Sequence, residues 1–248
     1  MPLKGVLLVA LGVRQAADRP MIDVDVLVDP SRARAVVSAA RAHGWDVPAG
    51  NDWSCALVHP AIRSMSIDLH RTLFPRHFFA MDTEGVFRRG RADDKLFGRD
   101  VVIMSAVDLY AHLVGHFVKG RADRRDALHL RDFSAVGRWS GVTPDVCAAH
   151  LVRVGLARAA RYALPLADQL ERDEYARAVL AALPRDRRGA VLAHFADAML
   201  SRVPPRSQAG IPFVHALNRN LWSGTRSLVA HIREPGGAPR ARDGWWQS

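Results

Sequence analysis

The chain has 248 residues and a formal net charge of +10. Apolar residues make up 49% of it and charged residues 24%, which excludes a disordered chain and allows a sizeable buried core. No apolar run approaches the roughly 20 residues that a membrane span needs. The sequence therefore predicts a cytoplasmic protein with no membrane partner. Cys55 and Cys147 lack metal-ligand spacing and are predicted to be buried free thiols.

The basic charge raises the question of nucleic-acid binding. Only three of the 35 basic residues are lysines, and the arginines are scattered along the chain. Short clusters occur at Arg88–Arg91, Arg121–Arg125 and Arg185–Arg188, and the first is predicted to be a solvated loop. A solvated basic surface is favoured over a nucleic-acid interface, which stays an alternative.

Strand and helix patterns alternate over the first hundred residues. A helix is predicted at 6–11, after Lys4 and Gly5, and a second at about 32–42, ended by Gly44 in a left-handed conformation. Short β-branched or alternating segments predict strands at 22–28, 54–59, 66–70 and 101–103.

Helical periodicity replaces this pattern after Ser105, which is suited to cap a helix. Prolines at 144, 165, 184, 204 and 205 are predicted to divide the helical part into pieces. The sequence thus predicts an α/β domain over residues 1–104, a helical domain over 105–232 and a Gly/Pro-rich mobile tail over 233–248.

Three acidic residues lie in otherwise apolar strand segments. Asp23 and Asp25 are two residues apart, so they point to the same face of their strand, about 7 Å apart. Asp68 lies in the later segment, and its neighbour on that face is His70. Two carboxylates on one face repel each other and are costly to desolvate, unless water or a cation neutralises them.

A divalent cation would provide that neutralisation. Mg²⁺ binds carboxylates together with substrate phosphates, and three carboxylates from adjacent strands suit two-metal phosphoryl chemistry. Because repulsion is relieved, replacing Asp23 or Asp25 with asparagine is predicted to leave the metal-free protein as stable as before or slightly more so.

Several motifs around these residues occur in a characteristic order. They are Leu3-Lys4-Gly5, then Arg19-Pro20 leading into the Asp23–Val28 strand, then His43-Gly44-Trp45, and finally Ile67-Asp68-Leu69-His70. Together they resemble the uncharacterised nucleotidyltransferase family of the polymerase-beta-type superfamily, over roughly residues 3 to 135.

This resemblance implies a mixed α/β sheet with flanking helices, followed by a helical region. It implies that Asp23 and Asp25 bind Mg²⁺ or Mn²⁺, with Asp68 as the third carboxylate. Gly5 would let the backbone approach a nucleoside triphosphate, and Lys4 and Arg19 would contact its phosphates. The reaction implied is transfer of a nucleoside monophosphate to a hydroxyl of a small molecule, a protein or an RNA.

The histidines at positions 70, 112 and 116 each allow more than one role. His70, beside Asp68, is interpreted as a group that supports the metal ligands or faces the phosphates. Asp108, His112 and His116 lie on one face of a predicted helix. Metal binding there is an alternative, but packing or contact with the nucleotide or acceptor is favoured.

Two departures from the family pattern matter. The superfamily has a Gly-Ser pair at the phosphate turn, whereas Val6 follows Gly5 here. The family also has a strand before the Leu-Lys-Gly segment, whereas only two residues precede Leu3 in this sequence. An unpaired edge is therefore predicted beside the Asp23–Val28 strand. Both departures favour the alternative of a degraded transferase fold that acts as a binding or interaction module. A basic nucleic-acid-binding protein is the second alternative.

Overall fold

The computed structural model describes residues 1–48, 50–62, 65–75, 79, 81–98, 100–120, 127–200, 202, 211–217 and 245–246. The chain forms two compact units, each described by itself below. Unit 1 comprises Met1–Pro75, Asp82–Ser105 and His231–Ser248, and unit 2 comprises Arg76–Met81 and Ala106–Ala230.

Unit 1 combines short helices with two small sheets. Its elements in chain order are α1 (Lys4–Ala10), a 3₁₀ turn (Ala16–Asp18), β1 (Asp23–Leu27), α2 (Ala33–Ala42), β2 (Ser54–Val58), β3 (Ser66–His70), α3 (Thr83–Arg89), β4 (Arg91–Asp93) and β5 (Val101–Ile103). The predicted strands and the helix after Lys4 occur within a residue or two of their expected bounds. Gly44 ends the turn after α2 with φ of +81°, as predicted.

The main sheet is mixed, with strand order β1-β3-β2. The central strand β3 pairs in parallel with β1 and antiparallel with β2. In the parallel pair Asp25 is registered with Asp68, so two acidic residues are direct neighbours in the sheet. The register fixes both on the same face, because side chains alternate along each strand.

The free edge of β1 is partly covered by the first residues of the chain. Leu3 N–H donates to the Asp25 carbonyl oxygen at 2.9 Å, and Leu27 N–H donates to the Met1 carbonyl oxygen at 2.8 Å. Pro2 bridges Val26 in the antiparallel sense. The prediction of an unpaired edge is therefore wrong at residues 25–27, because a short extended segment satisfies those backbone groups.

The back face of the main sheet builds an apolar core. Side chains of β2 and β3 pack there against α2; the buried members are Ala33, Val37, Cys55, Leu57 and Leu69. Trp245 and Trp246 complete this core, only 5% and 6% exposed. The Trp245 indole N–H donates to the Asn51 carbonyl oxygen at 3.0 Å. Residues 233–244 of the predicted mobile tail lie outside the described part of the chain, whereas these two tryptophans are buried.

The segment after residue 81 differs from the predicted solvated loop. Arg88 and Arg89 close helix α3, and Arg91 begins strand β4, which pairs with β5. The Asp82 carboxylate caps α3 by accepting from the N–H groups of Glu84 and Gly85. The acidic cap at the start of α3 and the two arginines at its end interact favourably with the helix dipole. The arginine-rich composition of this segment does not by itself indicate a helix.

The regular secondary structure of unit 2 is entirely helical within the described residues. Its helices are α4 (Ala106–Lys119), α5 (Ala127–Trp139), α6 (Pro144–Arg153), α7 (Ala157–Glu171), α8 (Glu174–Ala182), α9 (Arg187–Leu200) and α10 (Ile211–Ala216). Pro144 occupies the first turn of α6, where its missing N–H costs nothing. Pro165 lies inside α7 and does not divide it, contrary to the prediction. The Arg121–Arg125 cluster and Pro204 and Pro205 lie outside the described residues.

The docked tryptophans allow a direct test of this core. Trp246→Ala should lower the free energy of unfolding by about 3–5 kcal/mol, because a buried aromatic ring and its contacts are lost. The Trp246 ring lies where a side chain at Gly50 would have to stand, 2.6 Å from an ideal Cβ there. Urea denaturation followed by circular dichroism measures the change.

The matched control is Trp139→Ala, since the Trp139 side chain is 44% exposed. That substitution should change stability by no more than about 0.5 kcal/mol. Equal effects of the two substitutions would show that Trp246 does not belong to the core of unit 1.

Candidate metal centre

The carboxylates project from the face of the main sheet opposite the apolar core. Asp23 and Asp25 alternate with Val24 and Val26 along β1, and Asp68 occupies the registered position on β3. Two residues after Asp68, His70 ends β3 on the same face. One face of two adjacent parallel strands thus carries all the predicted acidic residues together with the histidine.

Asp25 is the most enclosed of the carboxylates, 7% exposed. The Lys4 ammonium lies 2.5 Å from its Oδ1, and His70 Nε2 donates to the same oxygen at 2.9 Å. Burial raises the pKa of the Asp25 carboxyl, but the His70 hydrogen bond and the Lys4 charge outweigh it, and the net pKa lies well below the usual range. Asp25 is therefore ionised and stabilised by two neighbours.

His70 joins the two registered aspartates. Its Nε2 lies 3.1 Å from Asp68 Oδ2 as well as 2.9 Å from Asp25. Burial raises the pKa of Asp68, but the hydrogen bond from His70 and its charge lower it to a net value below the ordinary one. The imidazole is 3% exposed, and its Nδ1 has no hydrogen-bond partner among the residues that the structure describes.

Asp25, Asp68 and His70 form a group that fits a metal ion. Each offers one ligand atom, and these three atoms lie within 4.8 Å of one another. Two carboxylate oxygens and an imidazole nitrogen are a donor set that divalent cations bind, provided that the histidine is in the tautomer that leaves that nitrogen without a proton. The sequence predicts Asp23 as a metal ligand together with these two aspartates, whereas the group found in the structure contains His70 instead.

Asp23 lies beside this group and feels its charge. Burial raises the pKa of Asp23, the nearby charges of Asp25 and Asp68 raise it further, and Lys4 opposes them. The carboxylate is therefore on the same charged face, but within the part of the chain that the structure describes it has no donor as close as those of Asp25. The sequence pattern predicts the same role for Asp23 and Asp25, whereas in the structure the pKa of Asp23 is raised and that of Asp25 is lowered.

The start of α1 brings the other predicted residues to the same region. Lys4 adopts φ of +45°, an unusual value for a residue with a side chain. A Cβ at Gly5 would lie 2.7 Å from Met21 Sδ and 3.3 Å from Arg19 Cζ, so a larger residue there would have to displace the Met21 side chain. The missing side chain at Gly5 leaves room for the Arg19 side chain over the start of α1. Arg19 is largely buried there, with 7% of its surface exposed.

Trp53 is a residue of this site that the sequence analysis missed. Its ring centroid lies 5.3 Å from that of His70, with the planes tilted by 41°. The Asn51 side chain accepts from the N–H groups of Trp53 and Ser54 and so fixes the turn into β2. The Asn51-Asp52-Trp53 turn signal was visible in the sequence, but the contact with His70 depends on the pairing of β2 with β3.

Unit 2 contains two groups of histidine contacts. Asp108 Oδ1 lies 2.9 Å from His150 Nε2, and both residues are buried. The ring of His116 lies between those of His112 and His129, at centroid distances of 6.1 and 5.1 Å. Asp108 is therefore paired with a histidine that the predicted stripe did not include, and the favoured packing interpretation remains a prediction.

The opposite pKa shifts of Asp23 and Asp25 correct the expectation that both asparagine variants relieve repulsion. At pH 7 without metal, Asp25→Asn should lower the free energy of unfolding by about 1–3 kcal/mol, since Lys4 and His70 lose their shared carboxylate. Asp23→Asn should raise it by less than about 1 kcal/mol, because the ionised form is disfavoured in the fold and solvent screens the effect. Urea denaturation of both variants tests this.

The pH dependence gives an internal check. A lowered pKa contributes stability that is present above the unfolded value near 4 and is lost as the pH falls further. The difference between wild type and Asp25→Asn should therefore shrink as the pH falls from about 5 towards 3. Two variants that are both more stable than wild type at pH 7 would contradict this account.

Comparison with known proteins adds one finding to this geometry. Residues 1–171 match a family described as uncharacterised nucleotidyltransferase. No curated protein and no solved structure gives a significant match. Among the described helices, none is both long and apolar enough to cross a membrane. The family match spans both the carboxylate-bearing sheet and the helices from α4 to α7, and the chain belongs to this uncharacterised nucleotidyltransferase family.

Proposed function

We propose that this protein transfers a nucleoside monophosphate from a nucleoside triphosphate to a hydroxyl group, with Mg²⁺ or Mn²⁺ as cofactor. Family membership supports nucleotidyl transfer in general. The observation that carries the specific proposal is the registered pair Asp25 and Asp68, whose ligand atoms lie within 4.8 Å of each other and of His70.

The donor set favours a divalent cation held by the chain itself. Asp25 and Asp68 would provide carboxylate oxygens, and His70 a nitrogen or a supporting hydrogen bond. Asp23, on the same face, would add a carboxylate when a second cation or the nucleotide is present. When bound, such a cation neutralises phosphate charge and activates a hydroxyl for attack on phosphorus.

Cationic side chains on the same side of the fold support a phosphate partner. Lys4 lies against Asp25, and Arg19 lies over the start of α1. Both are buried for residues of their type, 9% and 7% exposed, so their charges act in a region of reduced solvent screening. In the proposed complex they hold the triphosphate, and arginine suits bidentate contact with phosphate oxygens.

Asp68 would serve the acceptor side of the reaction. Its side chain is 31% exposed, whereas that of Asp25 is 8% exposed. An acceptor hydroxyl can approach the more open carboxylate, which would orient it or hold its proton. The hydroxyl would belong to a small molecule, a protein side chain or an RNA end.

Asp68→Asn tests the proposal with little change of shape. Turnover should fall at least about a hundredfold, because a direct metal contact is lost. The assay measures pyrophosphate release with each nucleoside triphosphate, Mg²⁺ or Mn²⁺, and a panel of acceptors. The control is Asp94→Asn, since Asp94 is an exposed carboxylate of the same unit and should have no effect.

Thermal melts separate binding from turnover. Metal with nucleotide should stabilise the wild type by mass action, by about 2.7 kcal/mol at a hundred times the dissociation constant, and should stabilise Asp68→Asn much less. Nucleotide-dependent stabilisation without turnover would support the interaction-module alternative. A wild type with neither response would contradict the proposed function.

A further inference from the structure

We infer that Lys4 occupies the metal-binding carboxylate in the nucleotide-free protein and moves to the nucleotide phosphates on binding, so that one ammonium links metal entry to nucleotide entry. The inference rests on the proposed function. It goes further by assigning Lys4 two alternative partners and a regulatory effect on the same site.

The first step is the contact itself. Lys4 Nζ lies 2.5 Å from Asp25 Oδ1, and the two side chains are 11% and 8% exposed. The ammonium thus contacts an oxygen of the carboxylate that is proposed to bind the cation, in a position shielded from solvent. Breaking a buried ion pair of this kind is costly unless another charge takes the place of the lost partner.

The second step is the incompatibility of two cations on one oxygen. A Mg²⁺ ion binds carboxylate oxygens at about 2.0–2.1 Å, so it and the ammonium would be only a few ångströms apart. Their repulsion is strong where solvent screening is weak. His70 Nε2 already contacts the same oxygen at 2.9 Å, which leaves little room for a third partner. A cation that binds this oxygen of Asp25 would therefore displace Lys4.

The third step is a destination for the ammonium. A nucleoside triphosphate brings several negative charges to the metal, and a lysine side chain is a flexible point charge that can follow them. Lys4 starts α1 beside Gly5, where Arg19 also lies, so the second phosphate partner is already in place. Its backbone φ of +45° is a strained conformation that the surrounding structure maintains.

The consequence is a lysine that opposes metal and favours nucleotide. Without nucleotide, Lys4 neutralises Asp25 and lowers metal affinity. With nucleotide, the same charge stabilises the phosphates. A residue that only bound phosphate would leave the affinity for metal alone unchanged, and this difference makes the inference testable.

The experiment measures Mn²⁺ binding to the metal-free protein by electron paramagnetic resonance, without nucleotide. Lys4→Gln keeps an N–H donor for Asp25 but removes the charge, and it should bind Mn²⁺ about tenfold more tightly than wild type. Lys95→Gln is the matched control, because Lys95 is exposed in the same unit, and it should stay within about twofold. With a non-hydrolysable nucleoside triphosphate and Mn²⁺ present, Lys4→Gln should bind nucleotide at least about tenfold more weakly than wild type.

Unchanged or weaker Mn²⁺ binding by Lys4→Gln would overturn the inference while leaving the proposed function intact. Absence of Mn²⁺ binding by every variant would overturn both. Lys4→Met, which lacks the donor, should show the same tighter binding if it folds. Loss of the folded state in both Lys4 variants would also overturn the inference, because the ammonium would then be a structural requirement that no metal can replace.

Discussion

Asp25 and Asp68 are direct neighbours in the main sheet, and the side chains around them offset the repulsion between their two negative charges. The parallel pairing of β1 with β3 registers Asp25 with Asp68. At a separation below 4.8 Å, two such charges repel by roughly 3 kcal/mol or more with an effective dielectric constant near 20. His70 offsets this by donating towards both aspartates, and Lys4 offsets it by its charge on Asp25. An arrangement that needs this much compensation is typical of a functional site.

The alternation of side chains along the strands gives the main sheet one charged face and one apolar face. The face that carries Asp25 is polar and charged, whereas the opposite face carries Leu69 and packs against α2 and the two C-terminal tryptophans. The apolar core therefore holds the backbone of β1 and β3 in register without contributing a residue to the candidate metal centre. The first three residues of the chain add backbone hydrogen bonds at the edge of β1, beside Asp25. Rigid strands of this kind suit a metal site, because ligand positions must be held closely.

Local patterns in the sequence were enough to predict four of the five described strands, all but β4, and the shared face of the aspartates. Strict alternation in β1 and β3 determines which side chains face the same way, and this information is contained in a few consecutive residues. The contact of Lys4 with Asp25 was not predictable, because it depends on how α1 packs against β1. The burial of Trp246 among residues some two hundred positions earlier is equally non-local. Where local reasoning was wrong, as at Pro165 inside α7, tertiary packing in unit 2 outweighed a helix-breaking residue.

The different environments of Asp23 and Asp25 show why residue type alone could not assign roles. Both lie in one strand, two positions apart, yet among the described residues close donors contact Asp25 and not Asp23. The family match supports nucleotidyl transfer for the chain as a whole, and the grouping of Asp25, Asp68 and His70 supplies the geometry from which metal binding is proposed. The most direct test is a crystal structure with Mn²⁺ and a non-hydrolysable nucleoside triphosphate, in which anomalous scattering locates the metal. The account predicts an anomalous peak within bonding distance of both Asp25 and Asp68, with the triphosphate beside it. A peak elsewhere, or a bound nucleotide with no metal between these two carboxylates, would contradict it.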